Sequence, residues 1–309
     1  KQNKKMAVCS CDVTLSNTGV GSCQPLQAVA KKIIIVPLVN GSNVRNGIDL
    51  SSIPTNAEII DLINAEDSSE RYYPLPTMEN VTNERADSIT EEAPSGTIAK
   101  IRNGAKTFTG EIWFQGSTYA GAIDAFGCGQ VGAYIVDGND NLIGDKKTTG
   151  YLYPLAIKMP TWDVKTIDTT DSTVAKISLT FQWKDSIADS DVGMLLASDF
   201  DSSTSWLDYN GLINLNGVAS AISTTAFSMK VTTPYGSVVN PVVAGGLVIG
   251  DFEIYNVTTA SPVVISTFNE TPTGTYAFTF LAQTSADVLS LRIAPSTKGY
   301  DDTLLSAVV

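Results

Sequence analysis

The amino-acid sequence predicts an all-β protein with minor α content, folded as two antiparallel β-sandwich or barrel units in series. Runs of β-branched and aromatic residues alternate with polar ones along much of the chain, which is typical of strands with one buried face. Turn dipeptides such as Asn40-Gly41 and Asn103-Gly104 separate these runs and predict hairpins. With 309 residues and 43% hydrophobic composition, the chain is long and apolar enough for two packed cores.

The charge and the residue types limit the functions that fit this chain. The formal net charge is -12, and an acidic surface disfavours tight nucleic-acid binding, which depends on lysine and arginine displacing counterions from phosphates. There is no histidine, so proton transfer near neutral pH would require carboxylates or lysines with shifted pKa values. We therefore expect a protein that is not an enzyme, with no catalytic residue, cofactor or metal.

Targeting features are also sparse. No stretch approaches the roughly 18 consecutive apolar residues of a membrane span, and no apolar segment follows the basic residues at the start of the sequence. These features predict synthesis in the cytoplasm and no membrane contact. The cysteines, Cys9, Cys11, Cys23 and Cys128, lack the Cys-x-x-Cys pairs of structural zinc sites; we expect reduced thiols, with a disulfide or metal cluster as the alternative.

The pattern divides the chain into an N-terminal arm (1–29), a first β domain (30–205) and a second β domain (206–309). The boundary is placed in the polar, turn-rich stretch around residues 198–210. Near Thr55 a capped helix and a strand both fit the apolar pattern, and both remain open. The strands predicted in the first domain are 33–39, 97–101, 107–114, 130–136, 141–144, 151–158 and 174–183.

Residues 64–96 differ in composition from their surroundings, because carboxylates and prolines dominate there. A connection of about thirty residues with so little apolar content is uncommon inside a compact domain and indicates either disorder or a loop with a function. Tyr72 and Tyr73 stand at one end, where aromatic side chains favour a loop that makes contacts. The sequence therefore predicts a long acidic contact loop.

Two motifs match the start of known ligand sites but lack the required context. The stretch from Gly127 to Gly132 has the spacing of the dinucleotide fingerprint, yet a strand follows it rather than a helix, which favours glycines at a hairpin or bulge. The stretch from Asp137 to Asn141 begins like a calcium loop, but Leu142 stands where that loop requires glycine. A hairpin turn is predicted there, with weak calcium binding as the alternative.

The pattern of the second domain predicts a β-sandwich, with strands at 226–232, 238–243, 248–255, 263–266, 274–282 and 288–294. The stretch from Pro272 to Phe280 is a turn followed by Gly-x-Tyr and alternating aromatic residues. It looks like the tyrosine-corner strand of immunoglobulin-like domains, with Tyr276 as the corner residue. An ordinary amphipathic strand is the alternative.

This order of elements resembles the tail tube proteins of long-tailed bacteriophages over about residues 30–200. The resemblance is carried by a strand, the acidic loop, the paired strands of 97–114, and the stretch Tyr151 to Ile157 returning through 174–183. The opening from Cys9 to Gly19 is also similar to virion proteins of phages of Bacteroidetes hosts. The resemblance implies a virion protein of the tail, made in the host bacterial cytoplasm, whose hexameric rings stack into a tube.

The resemblance further implies how the parts are used. DNA would pass transiently through the lumen, which should be negative or neutral so that the polyanion does not adhere. Other copies and other tail or virion proteins would be partners, and the second domain could touch surface glycans. The loop residues expected to reach the next ring are Tyr72, Tyr73, Leu75, Met78, Glu79, Val81, Glu84, Asp87, Glu91 and Glu92.

Two alternatives stay open at this point. One is another phage virion component, such as a capsid decoration, head fibre or baseplate protein, which shares the acidic, β-rich character. The other is a carbohydrate-binding surface protein, for which the aromatic residues Trp206, Tyr209 and Tyr235 would be the evidence.

Overall fold

The structure, a computed structural model, describes residues 27–146, 148, 150–200, 204–293, 298–301 and 303–308. Antiparallel sheets make up most of it, so the predicted all-β class with minor α content is confirmed. The sheets pack as open sandwiches, and none in the described ranges closes into a barrel. Most of the predicted N-terminal arm, with Cys9, Cys11 and Cys23, lies outside the described residues.

The first unit of the fold comprises the elements up to residue 209. Its helices are α1 (Asn56–Ile63) and α2 (Ser117–Asp124). Its strands are β1 (Ala30–Pro37), β2 (Ile48–Asp49), β3 (Tyr73–Pro74), β4 (Glu79–Arg85), β5 (Ile89–Glu92), β6 (Ile98–Arg102), β7 (Lys106–Trp113), β8 (Val131–Asp137), β9 (Leu142–Asp145), β10 (Tyr151–Leu152), β11 (Leu155–Ala156), β12 (Asp163–Ile167), β13 (Lys176–Gln182) and β14 (Val192–Leu195).

A central sheet with the strand order β14-β9-β8-β1-β3 forms the middle layer of this unit, and β11 also pairs with β8. The runs Ile33–Val36 and Val131–Val136 are buried on both faces, which explains why these strands read as continuous apolar runs. One face packs against α2 and a second sheet, here called the outer sheet, with the order β12-β13-β7-β4. The other face is covered by α1 and by the last residues of the first unit, including Trp206.

The segment that sequence left open between helix and strand is the helix α1. Thr55 caps it: the Thr55 hydroxyl accepts from the Glu58 backbone N–H, and the Glu58 carboxylate accepts from the Thr55 N–H. This reciprocal capping box satisfies two backbone donors at the helix start. Ile59 and Ile63 then lie on the face that is buried against the central sheet.

The end of the first unit lies further along the chain than predicted. Phe200, Trp206 and Tyr209 are buried in the same cluster as the central-sheet residues, and the Phe200 and Trp206 rings stack with centroids 4.4 Å apart. The boundary at 205/206 therefore cuts through this core, and we correct it to follow residue 209. Because their rings are enclosed, Trp206 and Tyr209 cannot serve as the sugar platform that the carbohydrate alternative required.

The second unit is a two-layer sandwich. Its strands are β15 (Asn216–Ser220), β16 (Ala226–Gly236), β17 (Pro241–Val243), β18 (Phe252–Asn256), β19 (Ser261–Val263), β20 (Ile265–Glu270), β21 (Thr275–Phe280), β22 (Val288–Ile293) and β23 (Thr303–Val308). One sheet has the order β15-β16-β21-β20, with β17 beside β16, and the other has the order β19-β18-β22-β23. This is the strand order of immunoglobulin-like sandwiches, with an additional edge strand on each sheet.

The tyrosine-corner interpretation of Tyr276 is wrong. Tyr276 lies on β21, the fifth strand of the immunoglobulin order, whereas the corner residue belongs near the start of the sixth. Its hydroxyl donates to the carbonyl oxygen of Ala244 at 2.7 Å and accepts from the Leu247 N–H at 3.2 Å. The buried ring therefore fastens the connection after β17 instead of a local corner.

Two ion pairs join the two units, and each unit supplies the cation of one pair and the carboxylate of the other. The Arg71 guanidinium of the first unit lies 2.7 Å from the Asp301 carboxylate of the second, and Arg292 of the second pairs with Glu66 of the first. Arg71 is nearly buried, so its pair is less screened by solvent than an exposed one.

Lys32, on β1, is a buried cation that ties the end of the first unit to the central sheet. Its ammonium group donates to the carbonyl oxygens of Leu207, at 2.8 Å, and Tyr209. Burial lowers the pKa of Lys32 to about 8, although the carboxylates of Asp208 and Asp140 oppose that change. The ammonium group of Lys32 is therefore well hydrogen-bonded, but burying it costs free energy because its charge loses contact with water.

We predict that this lysine makes stability rise with pH above about 8. Since its pKa is lower in the folded chain, the unfolded chain binds the extra proton between about pH 8 and pH 10, and folding becomes more favourable as pH increases. Relative to Lys32→Met, the wild-type free energy of unfolding should gain up to about 1 kcal/mol per pH unit. Urea unfolding at several pH values measures this difference, and parallel curves for the two proteins would contradict the assignment.

Candidate assembly interface

The predicted acidic loop is wrong as a structural description, because residues 64–96 contain three strands. β3 joins the central sheet, β4 forms an edge of the outer sheet, and β5 pairs with β6 in a separate two-stranded sheet. The predicted hairpin of 97–101 with 107–114 is also wrong, because β6 pairs with β5 while β7 pairs with β4 and β13. The turn that the structure does show joins β5 to β6 at residues 93–97, where Gly96 has φ +78. The Asn40-Gly41 turn is confirmed by the bond from the Asn40 N–H to the Val44 carbonyl.

The candidate contact residues separate into two groups. Tyr72, Leu75 and Met78 are buried in the cores of their own subunit, and Tyr73 and Val81 are half-buried against the same core. Their apolar surface is therefore already used within the subunit. The exposed candidates are the acidic ones, Glu79, Glu84, Asp87, Glu91 and Glu92.

The feature that stands away from the core is the arm, which we define as residues 86–105 with β5 and β6. All its residues from Ala86 to Asn103 are exposed, and its strands pair only with each other. It carries three exposed isoleucines, Ile89 (41% exposed), Ile98 (66%) and Ile101 (59%). Sequence reasoning missed these residues as contacts; the signal was β-branched side chains set among carboxylates, where no core of their own could form.

The root of the arm is held by close packing and by an ion pair. A Cβ on Gly104 would lie 1.9 Å from the Ala86 carbonyl oxygen, so the two chains cross there at a distance that only glycine permits. Arg85 donates to the Gly104 carbonyl at 3.2 Å and to the Asp189 carboxylate at 2.9 Å. The hydrogen bond from Arg85 to Asp189, together with the charge of Arg85, lowers the pKa of Asp189. The direction in which the arm leaves the sheet is therefore fixed at its root.

The face of the outer sheet that points away from the core is lined with hydroxyl and paired charged groups. The strand register places Thr82, Thr109, Thr180 and Asp163 in one cross-strand row, and the Thr109 and Thr180 hydroxyls lie 3.3 Å apart. Lys176, on the inner strand β13, lies on this face and is paired with the Glu111 carboxylate.

Glu111 organises one end of that face. Its carboxylate accepts from Lys176 at 2.7 Å, from the Asn80 amide at 2.7 Å and from the Trp113 indole N–H at 3.1 Å. Burial alone would raise the pKa of Glu111, but these hydrogen bonds more than offset it and hold the pKa below its usual value. The carboxylate therefore stays ionised and keeps the Trp113 ring in place.

Both edges of the outer sheet are open within the described residues. β4 pairs there with β7, and β12 pairs with β13, so each presents backbone groups of its other side without a sheet partner. Free edges of this kind are sites where another strand can add, and monomeric proteins usually protect them.

The other motifs have structural roles. Asp137 accepts hydrogen bonds from the N–H groups of Asn139 and Asn141 in the hairpin turn between β8 and β9, as the turn prediction required. Gly132 lies within β8, where a Cβ would stand 2.7 Å from the Leu155 carbonyl, so it serves close strand packing. In the described ranges, no group of three or more cysteine, aspartate and glutamate side chains is placed to hold a metal ion.

A cavity beside the arm root has a volume of about 10 Å³, the space of about one water molecule. Among the helices that the structure describes, none has the length and apolar composition needed to cross a membrane. No protein-family model matches this chain, and no match was found among curated proteins or among solved structures.

We predict that Gly104→Ala disturbs the arm root specifically. Because the new methyl group would meet backbone atoms, we expect a loss of about 1–3 kcal/mol in the free energy of unfolding and faster hydrogen exchange in β5 and β6. Gly121→Ala in α2 is the control, since no atom beyond its chain neighbours and the backbone of its own helix lies within 4 Å of the added carbon. Equal stability and equal exchange for the two variants would show that the root tolerates a side chain.

Proposed function

We propose that this chain is a structural virion protein that assembles, through contacts between identical copies, into stacked rings forming the tail tube of a long-tailed bacteriophage. The observation that carries the proposal is the outer sheet, which has one face in the core, one polar face and two open edges. Joining β4 of one copy to β12 of the next would complete both edges. Repeated around a closed ring, this contact would put the polar faces on one continuous surface.

The chemistry of that polar face fits a channel for DNA. Lys176 and Lys165 are each engaged by a carboxylate, so few free cations face outwards to hold phosphates. Threonine hydroxyls occupy the middle of the face. Since the attraction between proteins and DNA depends mainly on free lysine and arginine, such a surface would let the polyanion pass without adhering.

The arm supplies the contact between rings in this proposal. It projects from one end of the outer sheet, it is anchored at its root, and its isoleucines have no partner surface within the described part of the chain. Burying such side chains against a neighbour is favourable by roughly 25 cal/mol per Å² of apolar surface. The second unit, an immunoglobulin-like sandwich, would then lie outside the tube.

Other virion roles, including a capsid decoration, head fibre or baseplate protein, differ in the particle they would form. Electron microscopy of the purified protein at increasing concentration separates them: the proposal requires rings or tubes. A protein that stays monomeric at every concentration would overturn it.

We predict that replacing the isoleucines of the arm abolishes stacking without unfolding the subunit. The variant Ile89→Ser, Ile98→Ser, Ile101→Ser removes exposed apolar surface only, so the melting temperature should stay close to that of the wild type while long tubes disappear. Negative-stain microscopy and sedimentation measure the effect.

The matched control changes the exposed valines of the second unit, Val238→Ser, Val239→Ser and Val264→Ser. It removes a similar class of surface outside the arm, and tubes of wild-type length should persist. Loss of tubes in both variants, or in neither, would contradict the role given to the arm.

A further inference from the structure

An aromatic pair lies at the end of the outer sheet opposite to the arm. β7 begins beside the arm root, where Lys106 lies opposite Arg85 of β4 in the strand register, and ends at Trp113. Eight residues of strand span about 25 Å. Trp113 is 38% exposed and Phe114 is 75% exposed, with their ring centroids 6.1 Å apart in an edge-to-face arrangement.

This pair is held in position although it is exposed. The Trp113 indole donates to Glu111, and the Phe114 N–H donates to the Ala175 carbonyl at 3.0 Å. Phe114 also has φ +61, a conformation that is unfavourable for a bulky aromatic residue. Strain of this kind at an exposed site is a reason to look for a function, because nothing about solvent exposure requires it.

The surroundings of the pair complement part of the arm in charge. The loop between β12 and β13 ends beside Phe114 and carries Asp168 and Asp171, which have no ion-pair partner within the described residues. On the arm, β6 carries Lys100 and Arg102 next to the exposed Ile98. These cations likewise have no carboxylate partner in the described part of the chain. Strand alternation puts Ile98 and Lys100 on one face of β6, with Arg102 at its end, so this part of the arm, and not the whole arm, complements the two aspartates. The arm also carries the carboxylates Asp87, Glu91 and Glu92.

The arm of the same subunit cannot meet this pair, since the two lie at opposite ends of β7. A second copy placed further along the strand direction can. We propose that Trp113 and Phe114, with Asp168 and Asp171, form the site that receives the arm of the next copy. The inference rests on the proposed function and names its ring-to-ring partner surface. Two different patches then meet in each contact, which is a head-to-tail arrangement that extends without closing.

The test uses Phe114→Gly in the full chain, because glycine adopts positive φ freely and removes the ring. The variant should be at least as stable as the wild type and should still form rings, while the protein concentration needed for stacking rises by about tenfold or more. Phe114→Asn, which also tolerates this backbone conformation, should behave in the same way. Tyr255→Thr, an exposed aromatic residue on the second unit, is the control and should stack as the wild type does.

Charge exchange provides the specific readout. Lys100→Glu with Arg102→Glu should prevent stacking, and adding Asp168→Lys with Asp171→Lys to the same chain should restore it. If Phe114→Gly stacks at the same protein concentration as the wild type, or if the charge exchange does not restore stacking, the proposed acceptor site is wrong. The proposed function would still stand in that case, provided that the wild type forms tubes. Absence of rings and tubes from the wild type itself would overturn both.

Discussion

Burial of the central sheet on both faces is the constraint on which the rest of the first unit depends. β1 and β8 pair along their whole length, and their side chains contact the outer sheet on one side and α1 with the end of the unit on the other. That double burial encloses Tyr72, Leu75 and Met78, which the sequence had suggested as contacts with another copy. The outer sheet packs by one face only, so its second face and its edges are the surfaces left for other molecules.

The same constraint explains which parts of the fold can be predicted from sequence. The continuous run Ile33–Val36 identifies a doubly buried strand, and the alternation around Ile177 identifies a strand with one buried face, because burial imposes those periods. The helix α2 cannot be predicted from the sequence in this way. It is short, includes Gly121, and buries only Ala120 and Ile123, so its pattern is too weak to recognise. Strand β4 is hidden in a similar way, since its edge position leaves most of its residues polar.

The interface is harder to predict than the fold for a physical reason. Strand β5 of the arm has no buried face, so Ile89 produces no alternation against a core, and composition alone suggests a loop there. Conversely, Tyr72 and Met78 stand among carboxylates and prolines, yet contacts with strands distant in sequence bury them. The exposed or buried state of these residues is decided by tertiary packing, which local pattern does not contain.

Exposed charged residues lie near both ends of the outer sheet. The protein is acidic overall, yet β6 concentrates Lys100 and Arg102 on a projecting arm, while Asp168 and Asp171 stand at the opposite end. Identical copies that repel through their net charge need local pairs of opposite sign to approach in one orientation. In the proposed head-to-tail contact, Lys100 and Arg102 of one copy would face Asp168 and Asp171 of the next and supply such pairs. The direction of growth would thus be set by the sequence of one strand and one loop, and the apolar groups between them would supply the remaining free energy.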